Sequence, residues 1–217
     1  MGAFMIDTAA SIDDLLRSAR LVAVLTIERL SDAVPLARAL VAGGVRTLEI
    51  TLRTEAGAAA AAAVRDAVPD AVVGLGTVTK IAELELAKAL SLPFAFSPGA
   101  TPALLEAARA MGVAFVPGIA TPSELITALA HGFTTVKLFP AEQLGGVSML
   151  KSLGGPFPAV RFNPTGGVTA ANMASYLALP NVAAVGGSWL APAADIRAGA
   201  WEAITERARA AMLNVRS

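Results

Sequence analysis

One pattern recurs eight times along the chain: a short apolar run followed by a segment with helical spacing. The runs are "LVAVLTI" (21–27), "TLEITL" (47–52), "VVGLGTV" (72–78), "FAFSPG" (94–99), "AFVPGI" (114–119), "TVKLFP" (135–140), "VRFNPTGG" (160–167) and "AAVGGS" (183–188). The intervening segments carry helix boundaries. "TPALLEAARAMG" and "TPSELITALAHG" each open on Thr as N-cap with Pro in the first turn and close on Gly. "SDAVPLARALVAGG" has a Ser/Asp start and a Gly stop, and "EAGAAAAAAVRDA" reads as a helix with a small-residue packing face. Strands joined through helices run parallel, and their crossovers share one hand. Eight such units with short connections predict an α/β fold, a single (β/α)8 TIM barrel covering 1–217 as one domain. "SIDDLLRSAR" supplies an extra N-terminal helix. A doubly wound open sheet is the alternative; the even strand count, the lack of an antiparallel edge strand and the length of 217 residues favour closure.

Composition removes several classes of function. Apolar residues make up 55% of the chain and charged residues 16%, enough for a large core and against disorder. The mean hydropathy of +0.62 raises the question of a membrane. The longest uncharged stretch, 162–194, is interrupted by Pro164, Gly166, Gly167, Pro180, Gly186, Gly187 and Pro192, so no membrane span is expected. "MGAFMIDTAASIDD" has neither a basic n-region nor a long apolar h-region, which predicts a cytoplasmic protein without a signal peptide. Seventeen basic and 17 acidic residues cancel, and no basic cluster suggests a nucleic-acid partner. The absence of cysteine excludes disulfides, thiolate metal sites and cysteine nucleophiles. A single histidine, His131, cannot build a histidine-cluster zinc site, and in "ALAHGF" it reads as a helix C-cap. No metal and no cofactor are expected.

In a barrel of this kind the chemistry lies at the C-terminal ends of the strands. In "TLEITLRT" alternation puts Thr47, Glu49, Thr51 and Arg53 on one face and Leu48, Ile50 and Leu52 on the other. In "TVKLFP" Thr135, Lys137 and Phe139 share a face opposite Val136 and Leu138. Glu49, Arg53 and Lys137 are therefore expected to point into the barrel. Buried charges are costly unless paired or used. One use is structural: an ion pair plugging the barrel, with Lys137 bridged to Glu49. The other is chemical. Burial disfavours a charged amine, and a neutral amine can form a Schiff base with a ketone while a nearby carboxylate moves protons. The two readings are compatible. Arg53 can grip a carboxylate in bidentate fashion, Thr77 offers a hydroxyl, and Pro98 with Gly99 shapes the rim. The last two strands end in "PTGG" and "VGGS", where backbone N–H groups can hold phosphate. The set fits an α-keto acid that carries a phosphate at its far end.

"GGVRTLEITLRT", "GLGTV", "FSPGATP", "VPGIATPSE", "VKLFPAE", "FNPTGGV" and "VGGSWL" together resemble the class I aldolases for 2-keto-3-deoxy-6-phosphogluconate (KDPG), also described as 4-hydroxy-2-oxoglutarate (KHG) aldolases. The resemblance runs from about residue 10 to the C-terminus. It implies a metal-independent carbon–carbon lyase in which Lys137 forms the Schiff base with the pyruvyl carbonyl and Glu49 is the general acid/base. It implies that Arg53, with Thr77 nearby, binds the pyruvyl carboxylate and that Phe139 packs against the methyl end. Thr165 would face the aldehyde part, and Gly166, Gly167, Gly187 and Ser188 would hold the phosphate. The partners implied are the phosphorylated keto sugar acid and pyruvate, and the assembly a homotrimer. Relatives acting on the galactonate epimer are expected to differ at Gly99 and Thr165; this chain follows the gluconate pattern at both. Asn163 departs from the family, which often carries Cys there. A phosphosugar isomerase or synthase on the same barrel would need no such trio, and a non-catalytic assembly scaffold would have no reason to keep Lys137, Glu49 and Arg53 together.

Overall fold

The computed structural model describes residues 8–216. Among the described residues, nine short parallel strands are interleaved with ten α-helices and one 3-10 helix. The strands are β1 (Leu21–Leu25), β2 (Thr47–Thr51), β3 (Val72–Gly76), β4 (Ala95–Phe96), β5 (Phe115–Val116), β6 (Gly118–Ile119), β7 (Thr135–Leu138), β8 (Arg161–Phe162) and β9 (Val185–Gly187). Six form a parallel sheet in the order β5-β4-β3-β2-β1-β9, curved as a half-barrel, and three form a sheet in the order β6-β7-β8. Isolated parallel bridges join Phe162 to Val182 and Thr165 to Gly186.

The expected fifth strand, 114–119, is a correction. It divides into β5 and β6 at Pro117, which has no N–H to give to a ladder. The carbonyl of Pro117 still accepts from the Lys137 N–H at 2.9 Å. The other strands are also shorter than their apolar runs, because the last residues of each run turn into the loops above the sheet.

Helix ends follow the local chemistry. α5 (Pro102–Met111) and α6 (Pro122–Ala130) begin with Pro, and the Thr101 and Thr121 hydroxyls accept from the N–H of Leu104 and Glu124. His131 is the C-cap of α6, its Nδ1 2.8 Å from the Thr127 carbonyl. α2 (Leu30–Ala42) starts earlier than the Ser/Asp signal suggests, with Arg29 at the N-cap, whose side chain does not cap the helix but donates to the Asp32 carboxylate at 2.8 Å. α3 (Gly57–Ala67) is the Ala-rich segment.

Alternation sorts the strands' side chains into two clusters. Leu21, Ala23 and Leu25 of β1, Leu48 and Ile50 of β2, and Val136 and Leu138 of β7 pack outward with the helices. Val22, Phe94, Phe96, Val116, Ala183 and Ala184 form a second cluster on the opposite face. The extra N-terminal helix, α1 (Thr8–Ala19), adds Ile12 and Leu16 to that second cluster. Each fully buried Leu or Phe contributes about 1.5–3 kcal/mol. The apolar stripe of α1 thus covers one end of the inward face and leaves the opposite, C-terminal end of the strands to polar groups.

Candidate active site

The inward face of β2 is polar throughout. Thr47, Glu49 and Thr51 are all buried, and Glu49 is 1% exposed. Its carboxylate has room because Gly76 on β3 has no side chain: a Cβ there would run into the Glu49 carboxyl group. From β7, Lys137 extends across to the same point. Its Nζ donates to Glu49 Oε1 at 2.8 Å and to Oε2 at 3.1 Å. The ammonium also lies 5.4 Å from the centre of the Phe96 ring and 5.7 Å from that of Phe139. Two aromatic faces and one carboxylate are therefore the surroundings of the amine. The aromatic faces attract its cation, and the carboxylate is placed to take its proton.

Arg53 corrects the expected strand pattern. β2 ends at Thr51, so Arg53 lies past it, in the turn that follows, and is exposed rather than on the buried inward face. Its Nε donates to Thr77 Oγ1 at 3.1 Å. Thr77 follows β3 and holds a left-handed backbone, φ +62°. A β-branched residue there costs on the order of 1–3 kcal/mol, and its hydroxyl is thereby aimed at Arg53. Because Arg53 is exposed, a carboxylate could pair with its remaining guanidinium N–H groups.

The turn after Lys137 is tied to the turn after β8. Phe139 and Pro140 lie just beyond β7, joined by a cis peptide. The N–H groups of Ala141 and Glu142 donate to the carbonyls of Thr165 and Gly166 at 2.8 and 3.0 Å. Gly166 and Gly167 take φ of +96° and +78°, which only glycine adopts without strain. The Tyr176 hydroxyl donates to Glu142, and burial, with that carboxylate second, pushes the phenol's pKa upward. Among the described residues, no acceptor meets the N–H groups of Gly166, Gly167 or Ser188. Thr165 is buried and bridges to Gly186, next to Gly187 at the end of β9, where the Trp189 ring lies close. Pro98 is half-buried beyond β4, its backbone against Gly118, which pairs with Lys137.

Lys137 is thus bonded to Glu49 and lies over the Phe139 ring, and Arg53 is bonded to Thr77. Thr165, Gly166 and Gly167 adjoin the turn that follows Lys137. Sequence reasoning missed Phe96 and Gly76. Alternation in "FAFSPG" is the available signal for Phe96, an apolar residue among apolar neighbours; nothing in the sequence marks Gly76 as the space for a carboxylate. Among the described residues, no group of three or more His, Cys, Asp or Glu side chains could hold a metal ion. Nor is any described helix long and apolar enough to cross a membrane.

A family model described as KDPG and KHG aldolase matches residues 12–207. The chain belongs to the KDPG and KHG aldolase family. It is 48% identical over 93% of its length to a 2-dehydro-3-deoxy-phosphogluconate aldolase of Pseudoalteromonas atlantica, covering 94% of that protein. To a KHG/KDPG aldolase of Escherichia coli it is 46% identical, with 93% of this chain and 95% of that protein covered. A crystal structure of a KDPG aldolase from Legionella pneumophila, with pyruvate captured as a covalent carbinolamine, superposes with a TM-score of 0.88 at 41% identity, covering 91% of this chain and 96% of that one. Membership makes the chain an aldolase, a carbon–carbon lyase.

Proposed function

We propose that this chain is a class I aldolase that cleaves KDPG to pyruvate and glyceraldehyde 3-phosphate through a Schiff base on Lys137, and that it also accepts KHG, giving pyruvate and glyoxylate. The observation that carries the reading is the buried Lys137–Glu49 contact at 2.8 Å. Arg53 and Thr77 hold the substrate carboxylate. The N–H groups of Gly166, Gly167 and Ser188, with Gly187 beside them, hold the phosphate. Phe139 packs against the pyruvyl end, Pro98 forms the rim and Thr165 faces the aldehyde part. The Legionella structure with captured pyruvate and the E. coli relative's KHG/KDPG name support both substrates.

The steps follow from the pair. Glu49 takes a proton from the Lys137 ammonium, and the free amine adds to the keto carbon. Protonation of the resulting hydroxyl by Glu49 releases water and leaves an iminium. Glu49, again a carboxylate, removes the proton of the C4 hydroxyl; the C3–C4 bond breaks, the aldehyde leaves, and the electron pair enters the iminium as an enamine. Protonation at C3 and hydrolysis return pyruvate and the lysine.

We further infer that the two sheets are one closed eight-stranded barrel in a single domain. The Lys137-to-Pro117 bond carries the ladder past the break between β5 and β6, and the bridges to Val182 and Gly186 lead from β8 to β9, which pairs with β1. A homotrimer is inferred from the resemblance; native mass spectrometry should read about three times the 22.0 kDa of one chain. Activity is tested by following pyruvate release from KDPG. Wild type should turn over with or without EDTA, Lys137→Ala should not, and Arg53→Ala should raise KM about tenfold or more. Sustained cleavage by Lys137→Ala would overturn the reading.

A further inference from the structure

β7 and β8 leave buried polar atoms on their inward face that the protein itself does not satisfy. Asn163 is 0% exposed. Among the described residues, neither its Oδ1 nor its Nδ2 meets a hydrogen-bond partner, and the same is true of Thr135 Oγ1. Asn163 follows β8 next to Lys137 in the ladder, and Thr135 lies two residues before Lys137 at the start of β7. Thr135 pairs with Arg161 and Val136 with Phe162, so the next step of the register sets Asn163 beside Lys137. The Asn163 N–H donates to the Val136 carbonyl at 2.8 Å, which fixes that register. Phe162 packs into the outer cluster, so Asn163 faces inward, as Lys137 does.

Leaving a buried amide unmet costs about 1–3 kcal/mol, and buried groups of this kind are ordinarily met by ordered water. The Asn163 amide has two donors and an oxygen acceptor to offer. The groups already around Lys137 would orient water poorly. Phe96 and Phe139 are apolar, and Glu49, which takes one of the water's protons, leaves the water's other polar contacts to a second group.

We propose that Asn163 holds the water that hydrolyses the Lys137 iminium, making Asn163 a positioning residue for the last step of turnover. This rests on the Schiff-base reading above. The water oxygen adds to C2 of the iminium and gives one proton to Glu49, forming the carbinolamine. Glu49 passes that proton to Nζ, takes the proton of the C2 hydroxyl as the C2–N bond breaks and the carbonyl forms, and gives that second proton to the released amine. Iminium and water thus become pyruvate and the Lys137 ammonium, with Glu49 ending as the carboxylate it began as. Held water replaces a diffusional step with an oriented one, for hydrolysis and, in reverse, for the departure of water when the imine forms.

Exchange of the pyruvate keto oxygen with H2(18)O, above the spontaneous background, reads this step. Borohydride trapping at equilibrium reads the amount of imine, which a change in water delivery leaves unaltered. Asn163→Leu should exchange at least about tenfold more slowly, with its adduct on Lys137 undiminished. Asn163→Ser, which keeps a hydroxyl for water, should stay within about threefold of wild type. Exchange by folded Asn163→Leu at the wild-type rate overturns the proposal. So does a serine variant as slow as the leucine one, or an adduct lost in step with exchange, which would make Asn163 a mere support for Lys137. Should Asn163→Leu fail to fold, a high-resolution crystal structure of the wild type decides: water bonded to the Asn163 amide supports the proposal, and a dry amide overturns it. Wild type without any adduct would instead sink the Schiff-base reading itself.

Discussion

At the scale of single residues, the site depends on one buried ion pair with 4% and 1% side-chain exposure. Removing one partner of such a pair costs about 3–5 kcal/mol because the other charge is left unmet. Lys137→Ala therefore loses stability as well as turnover, and loss of activity alone does not separate structure from chemistry. Glu49→Gln separates them better, since the amide keeps the shape and a hydrogen bond. It should lower kcat by about 10²–10⁴ while pyruvate still accumulates as an imine; a rate equal to wild type would remove Glu49 from the mechanism. Gly76 is the silent partner. Gly76→Ala places a methyl group where the Glu49 carboxyl lies, and should cost about 1–3 kcal/mol in a thermal melt together with a fall in kcat. A melt and a kcat both like wild type would show that Glu49 does not need that space. Lys137 and Glu49 were legible in the sequence because each interrupts an apolar alternation. Arg53 was legible as a residue but not as a location, because alternation says nothing about where a strand stops.

At the scale of elements, strand boundaries and helix ends followed different rules. Thr101 and Thr121 were readable as caps because a cap is a local hydrogen bond, complete within four residues. The split at Pro117 was equally local, yet "AFVPGI" reads as one apolar run. α1 was legible as a helix, but its task was not. Ile12 and Leu16 meet Val22, Phe94, Phe96 and Val116 only after the chain has folded around them. Leu16→Ala should accordingly destabilise the protein by about 2–5 kcal/mol, as measured by denaturant unfolding, although the residue is remote from Lys137 in sequence. A change below about 1 kcal/mol would mean that α1 merely rests on the surface.

At the scale of the whole molecule, eight alternating segments were enough to announce parallel strands with helical crossovers, since no other arrangement joins such units with short loops. The division into a six-stranded and a three-stranded sheet was not legible, because it depends on ladder bonds at Pro117 and between 162–165 and 182–186. Function was legible to the extent that it rests on charged or glycine residues at strand ends. Phe96 and the inward placement of Asn163's unmet amide emerged only when strands distant in sequence came together. The central claim is that Lys137 is an imine-forming nucleophile. Its most direct test is incubation with pyruvate and borohydride, followed by peptide mass spectrometry. The account predicts a reduced pyruvyl adduct on Lys137 and on no other lysine. Folded protein that gives no adduct, or an adduct elsewhere, would contradict it and leave the Lys137–Glu49 pair as a structural plug.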